Sequence, residues 1–144
     1  MKARAETTHK GAQAGKEPPG HVKKLAVIGA GKLGEGLLSG LLSSQWVPVD
    51  RVVATVAHQP RAGFLAEKYG ITAHTDNVRA VSGADLVLIC LKPQQVKGFL
   101  HDVKKRLRKD ALIISAAASV TTALIERELG HPAHVVRAMP NTPC

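Results

Sequence analysis

Residues 24–34 read KLAVIGAGKLG, an apolar run that ends in the spacing Gly-x-Gly-x-x-Gly. The run is typical of a buried parallel strand, and the residues that follow it have helical spacing. At such a junction Gly29 permits a tight turn, Gly31 leaves room for a phosphate, and Gly34 lets the helix press on the sheet. The first amides of the helix then face the anion. The stretch therefore predicts a dinucleotide-binding loop, with an ordinary structural turn as the alternative.

Apolar runs and helical patterns alternate along the rest of the chain. Strands are predicted at residues 51–56, 71–74, 84–91, 111–115 and 134–138, and helices at 33–42, 60–69, 77–82, 96–107 and 121–129. This alternation predicts an α/β fold with a doubly wound, mostly parallel sheet. A chain of 144 residues fits one domain, which we assign to residues 22–144. Residues 1–21, rich in Ala, Gly, Lys and Pro, are predicted to form a disordered basic tail.

The formal net charge of +9 is concentrated in residues 1–24 and 104–109, which we interpret as solvated surface. An aromatic content of 3% lacks the stacking residues of single-stranded nucleic-acid binders, so nucleic acid is not an expected partner. No apolar run approaches the roughly 18 residues of a membrane span, and residues 1–20 lack the apolar core of a secretory signal. Two cysteines make no disulfide framework. These features predict a cytoplasmic protein without a membrane partner.

The segment at the end of the second predicted strand, residues 55–61, contains no acidic residue. An Asp or Glu normally holds the ribose 2′-hydroxyl of NAD at this place, and its charge would repel a 2′-phosphate. Thr55, His58 and Arg61 could each donate a hydrogen bond to such a phosphate. The segment therefore favours NADP, with NAD as the other candidate, over a solvated loop whose charges are incidental.

Three other segments lie at strand ends, where ligands of doubly wound sheets bind. Lys92-Pro93 would shape a loop at the cofactor edge, and the small residues 115–119 would let a flat ring approach the backbone. The stiff polar stretch 135–144 would present donors at the same edge. Each segment also has a plain structural interpretation, as the end of a strand, a site of tight helix packing and a turn, respectively.

Together these segments resemble the cofactor-binding half of pyrroline-5-carboxylate reductase, the family that makes proline from its cyclic imine. The resemblance runs from about Lys23 to Cys144 and rests on Gly29 to Gly34, Asp76-Asn77, Leu91-Lys92-Pro93, Ser115-Ala116-Ala117 and, most specifically, Arg137-Ala138-Met139-Pro140-Asn141-Thr142-Pro143. It implies a Rossmann-like fold. The family also has a helical C-terminal domain that makes the dimer and supplies much of the imine site. We expect that domain to be absent from this chain, and a homo-oligomer only where it is present.

The same resemblance implies which residues contact NAD(P)H and substrate. The implied cofactor contacts are Ile28, Gly29, Ala30, Gly31, Lys32, Leu33, Asn77, Cys90, Leu91, Lys92, Pro93, Ala116, Ala117 and Ala118. Met139, Pro140, Asn141 and Thr142 are implied to lie beside the nicotinamide and the substrate. One departure is Ser119, because the family usually has a glycine there.

The function implied by the resemblance is hydride transfer from C4 of NAD(P)H to the C=N carbon of 1-pyrroline-5-carboxylate, a step of proline biosynthesis. No His, Lys or carboxylate has the spacing of a general acid, and neither cysteine has a metal-ligand partner, so we name no catalytic residue and no metal site. The chain alone is expected to be incomplete as an enzyme. Two alternatives stay open: a non-catalytic nucleotide-sensing or interaction module, and another hydride-transfer enzyme such as a β-hydroxyacid dehydrogenase or a deazaflavin-dependent type.

Overall fold

The computed structural model of the protein describes residues 22–140. Its strands are β1 (Leu25–Ile28), β2 (Val52–Thr55), β3 (Thr72–His74), β4 (Leu86–Ile89), β5 (Leu112–Ser115) and β6 (His134–Arg137). Its α-helices are α1 (Lys32–Ser43), α2 (Gln59–Tyr69), α3 (Asn77–Val81), α4 (Pro93–Val103) and α5 (Thr122–Leu129), and a short 3₁₀ turn covers Val49–Arg51. The tail predicted for residues 1–21 lies outside the described residues.

The six strands form one parallel sheet in the order β3-β2-β1-β4-β5-β6. The predicted α/β, doubly wound, Rossmann-like fold is confirmed. Strands β1 and β4 lie in the middle, and all four residues of each are buried, as continuous apolar runs require in a sheet covered on both faces. The strand order reverses between β1 and β4, so the crevice beyond their carboxyl ends is the place where this fold binds ligands.

Side chains of alternate strand residues belong to two apolar clusters, one on each face of the sheet. One cluster joins Ile28 and Ile89 to α3, α4 and α5, and the other joins Val27 and Leu88 to α1 and α2. On the second face the sheet stays partly open towards β5 and β6, where Leu112 and Val136 are exposed.

Helix α4 is shorter than the apolar spacing predicts. The pattern runs to Leu107, which is buried, whereas the helix ends at Val103. The Leu107 N–H still donates to the Val103 carbonyl at 2.9 Å, so the chain makes one more turn without continuing the helix. The basic run 104–109 gives a physical reason, because like charges four residues apart destabilise a helix.

Asp85 fixes the entry of the chain into the sheet. Its two carboxylate oxygens accept hydrogen bonds from the backbone N–H groups of Lys23 at 2.9 Å and Lys24 at 2.8 Å. The carbonyl of Lys24 in turn accepts from the N–H of Leu86 at 3.3 Å. The amino ends of β1 and β4 are therefore joined at the sheet edge opposite the crevice.

Ser119, the departure from the family pattern, has a backbone φ of +63°. This left-handed conformation costs an L-residue about 1–2 kcal/mol and suits glycine. We expect Ser119→Gly to raise the free energy of unfolding by about 0.5–1 kcal/mol, since glycine loses part of the gain through its more flexible unfolded state. Denaturant titration measures the change. Ser119→Ala keeps the Cβ and should bring no gain; an equal gain in both variants would contradict this explanation.

Candidate functional site

The glycine loop between β1 and α1 is tightly packed at two positions and open at the third. A Cβ at Gly29, where φ is +82°, would lie 2.7 Å from Leu91 Cδ2 and 3.2 Å from the Cys90 carbonyl oxygen. A Cβ at Gly34 would lie 2.7 Å from the Gly29 carbonyl oxygen. At Gly31 a Cβ would have no neighbour within 4 Å. Gly29 and Gly34 are therefore required by packing, whereas Gly31 leaves space for a ligand.

Hydrogen bonds hold this loop against the end of β2. The Ala30 N–H donates to the Thr55 carbonyl at 2.8 Å, and the Gly29 N–H donates to Thr55 Oγ1 at 3.2 Å. On the other side, the Cys90 N–H donates to the Ile28 carbonyl at 2.8 Å. The three carboxyl ends of β1, β2 and β4 thus form one rigid rim.

The N-terminus of α1 carries unsatisfied donors beside this rim. Its N-cap is Gly31, which has no side chain to cap the helix, and the first turn bond runs from Glu35 N–H to the Gly31 carbonyl at 2.8 Å. The N–H groups of Lys32, Leu33 and Gly34 have no hydrogen-bond acceptor among residues 22–140. Such amides, at the positive end of the helix dipole, are suited to binding an anionic phosphate.

A cavity of about 480 Å³ lies over the rim. Ten residues predicted from the sequence line it: Gly29, Ala30, Gly31, Thr55, His58, Arg61, Asn77, Cys90, Leu91 and Lys92. Four residues that the sequence analysis missed also line it: Val56, Ala57, Thr75 and Gln95. None of these lining residues is acidic. Val56, Ala57 and Thr75 lie at the ends of predicted strands, next to predicted residues or one position away, whereas Gln95 lies in the first turn of α4.

The other predicted cofactor contacts do not line the cavity. Ile28 is buried in β1, Lys32 and Leu33 begin α1, and Pro93 begins α4. Residues 116–118 follow β5, where the Ala116 N–H donates to the Ile89 carbonyl at 2.9 Å and continues the strand pairing. Cofactor contact by all these residues stays a prediction.

The segment predicted to border the substrate begins on a different surface. Met139 and Pro140 line a second, apolar cavity of about 540 Å³ together with Leu37 and Leu41 of α1 and with Ile114 of β5. Met139 is 83% exposed, so little of its side chain is covered there. Asn141 and Thr142 lie outside the described residues. The structure therefore leaves the role of residues 139–142 as a prediction.

The three donors predicted at the end of β2 differ in their surroundings. Thr55 is buried, and its Oγ1 already accepts from the loop, so its hydroxyl holds the loop in place. His58 is exposed at the N-cap of α2. Arg61 is partly exposed, and its Nη2 donates to the Ala30 carbonyl at 3.3 Å and to the Glu35 carboxylate. His58 and Arg61 are the donors with open surface at this rim.

Glu35, in the first turn of α1, is the centre of a cluster that the sequence analysis did not identify. Its carboxylate accepts from Lys68 Nζ at 2.9 Å, from the Tyr69 hydroxyl at 2.8 Å and from Arg61 Nη2. These hydrogen bonds lower the pKa of Glu35 from its ordinary 4.5 to about 2. The carboxylate is therefore ionised at every physiological pH and is already fully engaged by donors of α2.

The lowered pKa makes a prediction for stability against pH. An acid whose pKa is lower in the folded state contributes stability above its ordinary pKa and loses it as the pH falls towards the folded value. We expect Glu35→Gln to cost about 1–2 kcal/mol at pH 6, because the partners are partly exposed, and this cost to shrink between pH 4.5 and pH 2. Denaturant titration at pH 6, 4 and 3 measures it, with Glu67→Gln, an exposed position, as the control. A cost independent of pH would contradict the prediction.

Cys90 lies at the floor of the cavity but is not a reactive thiol. Burial raises the pKa of its thiol to about 11, so it is protonated at neutral pH and is a poor nucleophile.

Among residues 22–140 no group of three His, Cys, Asp or Glu side chains is placed to hold a metal ion. Every helix in the same range is too short or too polar to cross a membrane.

Comparison with known proteins agrees with this geometry. A family model described as NADP oxidoreductase, coenzyme F420-dependent, matches residues 24–119, about two thirds of the chain. The chain belongs to this family. Within the family, the resemblance to pyrroline-5-carboxylate reductases is confirmed, because pyrroline-5-carboxylate reductase 1 of Bacillus spizizenii is 34% identical over 121 residues. That match covers 83% of this chain and 41% of the Bacillus protein.

A solved structure supports the same family assignment, and a second one shares the fold. The structure of a pyrroline-5-carboxylate reductase from Coxiella burnetii matches with a TM-score of 0.80 and 34% identity, over 85% of this chain and 45% of the other. The fold is also that of a Plasmodium falciparum pyrroline carboxylate reductase solved with NADP bound, with a TM-score of 0.71, 21% identity and coverages of 84% and 43%. This chain thus spans less than half the length of each of these three relatives.

Proposed function

We propose that this chain binds NADPH and forms the cofactor-binding part of an enzyme that reduces the C=N bond of 1-pyrroline-5-carboxylate. The observation that carries the proposal is the loop around Gly31, where open space meets the three unsatisfied amides of α1. A pyrophosphate supplies acceptors and negative charge for these groups. The substrate is proposed from the names of the relatives, which are pyrroline-5-carboxylate reductases. The cavity lining contains no acidic residue, which agrees with NADP as the cofactor.

In this proposal each part of the rim has a separate task. The amides of Lys32, Leu33 and Gly34 hold the pyrophosphate, and His58 and Arg61 donate to the 2′-phosphate of the adenosine ribose. The second task agrees with the NADP in the Plasmodium falciparum relative. Because the lining contains no carboxylate, nothing at the end of β2 repels this phosphate directly.

The reacting end of the cofactor is proposed to lie beyond β4. Cys90, Leu91 and Lys92 line the cavity there, and residues 116–118 follow the neighbouring strand. When bound, the cofactor supplies the hydride that reduces the imine carbon. The contribution of this chain is to orient the cofactor and cover one side of it, which lowers the entropic part of the barrier. We propose that the segment 139–142 borders the substrate and that the remaining substrate contacts, and the dimer, come from a helical domain of the kind that the resemblance implies.

The coenzyme F420 in the family description favours one other candidate function, hydride exchange between NADP and a deazaflavin. The matched residues stop at 119, before the stretch RAMPNTP of residues 137–143, on which the resemblance to pyrroline-5-carboxylate reductases rests. Identities of 33–36% to those reductases make imine reduction the better supported function. The nucleotide-binding proposal is common to both candidates.

Fluorescence titration of the full chain with NADPH and NADH tests the binding proposal. We expect a dissociation constant below 1 mM for NADPH, roughly tenfold tighter than for NADH, since a charge-assisted contact contributes about 1.5 kcal/mol. No binding of either cofactor at millimolar concentration would overturn the proposal. Mixing the chain with the C-terminal part of a relative and following NADPH oxidation with imine or deazaflavin as acceptor then identifies the substrate. Binding without turnover for either acceptor would favour a nucleotide-sensing module.

A further inference from the structure

Three donors of α2 converge on one carboxylate of α1. Arg61 lies seven and eight residues before Lys68 and Tyr69, so the three side chains share one face of the helix two turns apart. All three donate to Glu35, whose side chain is only 18% exposed. The first turn of α1, which carries the proposed pyrophosphate site, is thereby connected to the rim of the cavity at Arg61.

The contacts of Arg61 leave most of its guanidinium available. Both of its hydrogen bonds, to the Ala30 carbonyl and to Glu35, are made through Nη2. Nε and Nη1 have no hydrogen-bond acceptor among residues 22–140, and Arg61 lines the cavity. Phe64 supports the group from one side, with its ring centroid 5.2 Å from the Arg61 Cζ. One corner of the planar group is therefore held while its other donors remain open to a ligand.

The charges of the cluster do not cancel. Glu35 carries one negative charge and has two cationic partners, Arg61 and Lys68. The cluster keeps a net charge of +1 at the rim, so it attracts an anion even though it contains a carboxylate. Lys68 and Tyr69 both donate to Oε1 of Glu35, the oxygen that Arg61 does not use, which engages both oxygens of the carboxylate.

We propose that Glu35 is a positioning residue that holds Arg61 ready for the 2′-phosphate of NADPH and thereby sets the preference for NADPH over NADH. The inference rests on the proposed function, because it needs a nicotinamide cofactor in the cavity. Without Glu35 the long side chain of Arg61 samples several rotamers, and binding the phosphate has to order it. NADH lacks this phosphate, so its affinity does not depend on the orientation of Arg61.

The test is a set of NADPH and NADH titrations on the full chain, with cofactor fluorescence as the readout. Glu35→Gln is expected to raise the dissociation constant of NADPH about fivefold and to leave that of NADH within twofold. Glu67→Gln, which removes the same charge from an exposed position of α2, should leave both constants within twofold. Arg61→Gln should raise the NADPH constant about tenfold. Since Glu35 acts through Arg61, adding Glu35→Gln to Arg61→Gln should have no further effect.

The outcomes separate this inference from the proposed function. If the unaltered chain binds neither cofactor, the proposed function fails. If it binds NADPH and Glu35→Gln tightens NADPH, weakens both cofactors equally or retains its full effect in the Arg61→Gln background, the positioning role is overturned. Where Glu35→Gln does not fold, the double variant Lys68→Gln/Tyr69→Phe keeps the carboxylate but removes two of its donors. It should raise the NADPH constant about twofold to threefold without changing that of NADH, and no change would overturn the inference.

Discussion

Gly34→Ala is expected to lower the free energy of unfolding by about 2–3 kcal/mol and to remove measurable NADPH binding. The added Cβ would lie 2.7 Å from the Gly29 carbonyl oxygen and 3.3 Å from Cys90 Cβ. A backbone oxygen cannot rotate away as a side-chain tip can, so the loop itself has to move. That loop carries the proposed phosphate site, and its amides would lose their alignment with any bound anion.

Gly36→Ala is the matched control for this effect. Gly36 lies in the same helix and is exposed, and a Cβ there would meet no other part of the structure within 4 Å beyond the adjacent turns of its own helix. Alanine there should raise the free energy of unfolding by up to about 1 kcal/mol, because glycine in a helix interior costs that much. Denaturant titration and cofactor fluorescence on both variants provide the comparison. Equal stabilities, or NADPH binding by Gly34→Ala as tight as by the unaltered chain, would contradict the packing argument.

Gly31→Asp should raise the stability of the chain while it weakens NADPH binding. Gly31 is the N-cap of α1 with an extended backbone, φ −77° and ψ −152°, so its φ lies outside the left-handed region that favours glycine. Aspartate is a preferred N-cap and its charge suits the helix N-terminus, so the free energy of unfolding should rise by up to about 1 kcal/mol. The same carboxylate occupies the space proposed for the pyrophosphate and repels it. We expect NADPH affinity to fall at least about 100-fold, which corresponds to about 2.7 kcal/mol.

Gly31→Asn distinguishes the charge from the volume of the new side chain. Asparagine is also a preferred N-cap and has nearly the same shape, but it is neutral. A smaller loss of NADPH affinity in Gly31→Asn than in Gly31→Asp would assign the difference to electrostatic repulsion. Thermal unfolding of each variant confirms that the fold is retained. Unchanged NADPH binding by Gly31→Asp would show that the cofactor phosphates lie elsewhere.

The sequence was sufficient for the fold because its strands are short apolar runs separated by clear helical patterns. In a parallel sheet the central strands are covered on both faces, so β1 and β4 appear as uninterrupted apolar residues. The glycine spacing then located the loop, and the absence of acidic residues after β2 located the proposed ribose site. The ends of helices were harder to predict from the sequence. Leu107 is an example, because it is buried although α4 ends at Val103, where a run of like-charged lysines and arginines begins.

The cluster around Glu35 could not be predicted in the same way. The three donors lie 26, 33 and 34 residues after Glu35 and meet it because α1 and α2 pack on the same face of the sheet. No local pattern records such a contact. Thr55 is a similar case, because its residue type suggested a phosphate donor but not the hydrogen bond that its buried Oγ1 accepts from the loop; donation to a phosphate stays a prediction. Side-chain partners across helices depend on packing, which residue types alone do not determine.

The anchoring of Lys23 and Lys24 by Asp85 has a practical consequence for handling the protein. The polypeptide enters the sheet at the amino end of β1, and the four residues of this strand, at about 3.3 Å each, separate that point from the rim where cofactor is proposed to bind. A tether for surface immobilisation attached ahead of residue 22 would therefore pull on the far side of the molecule. Protein immobilised in this way should keep the cavity that is proposed to bind the cofactor exposed to the solution.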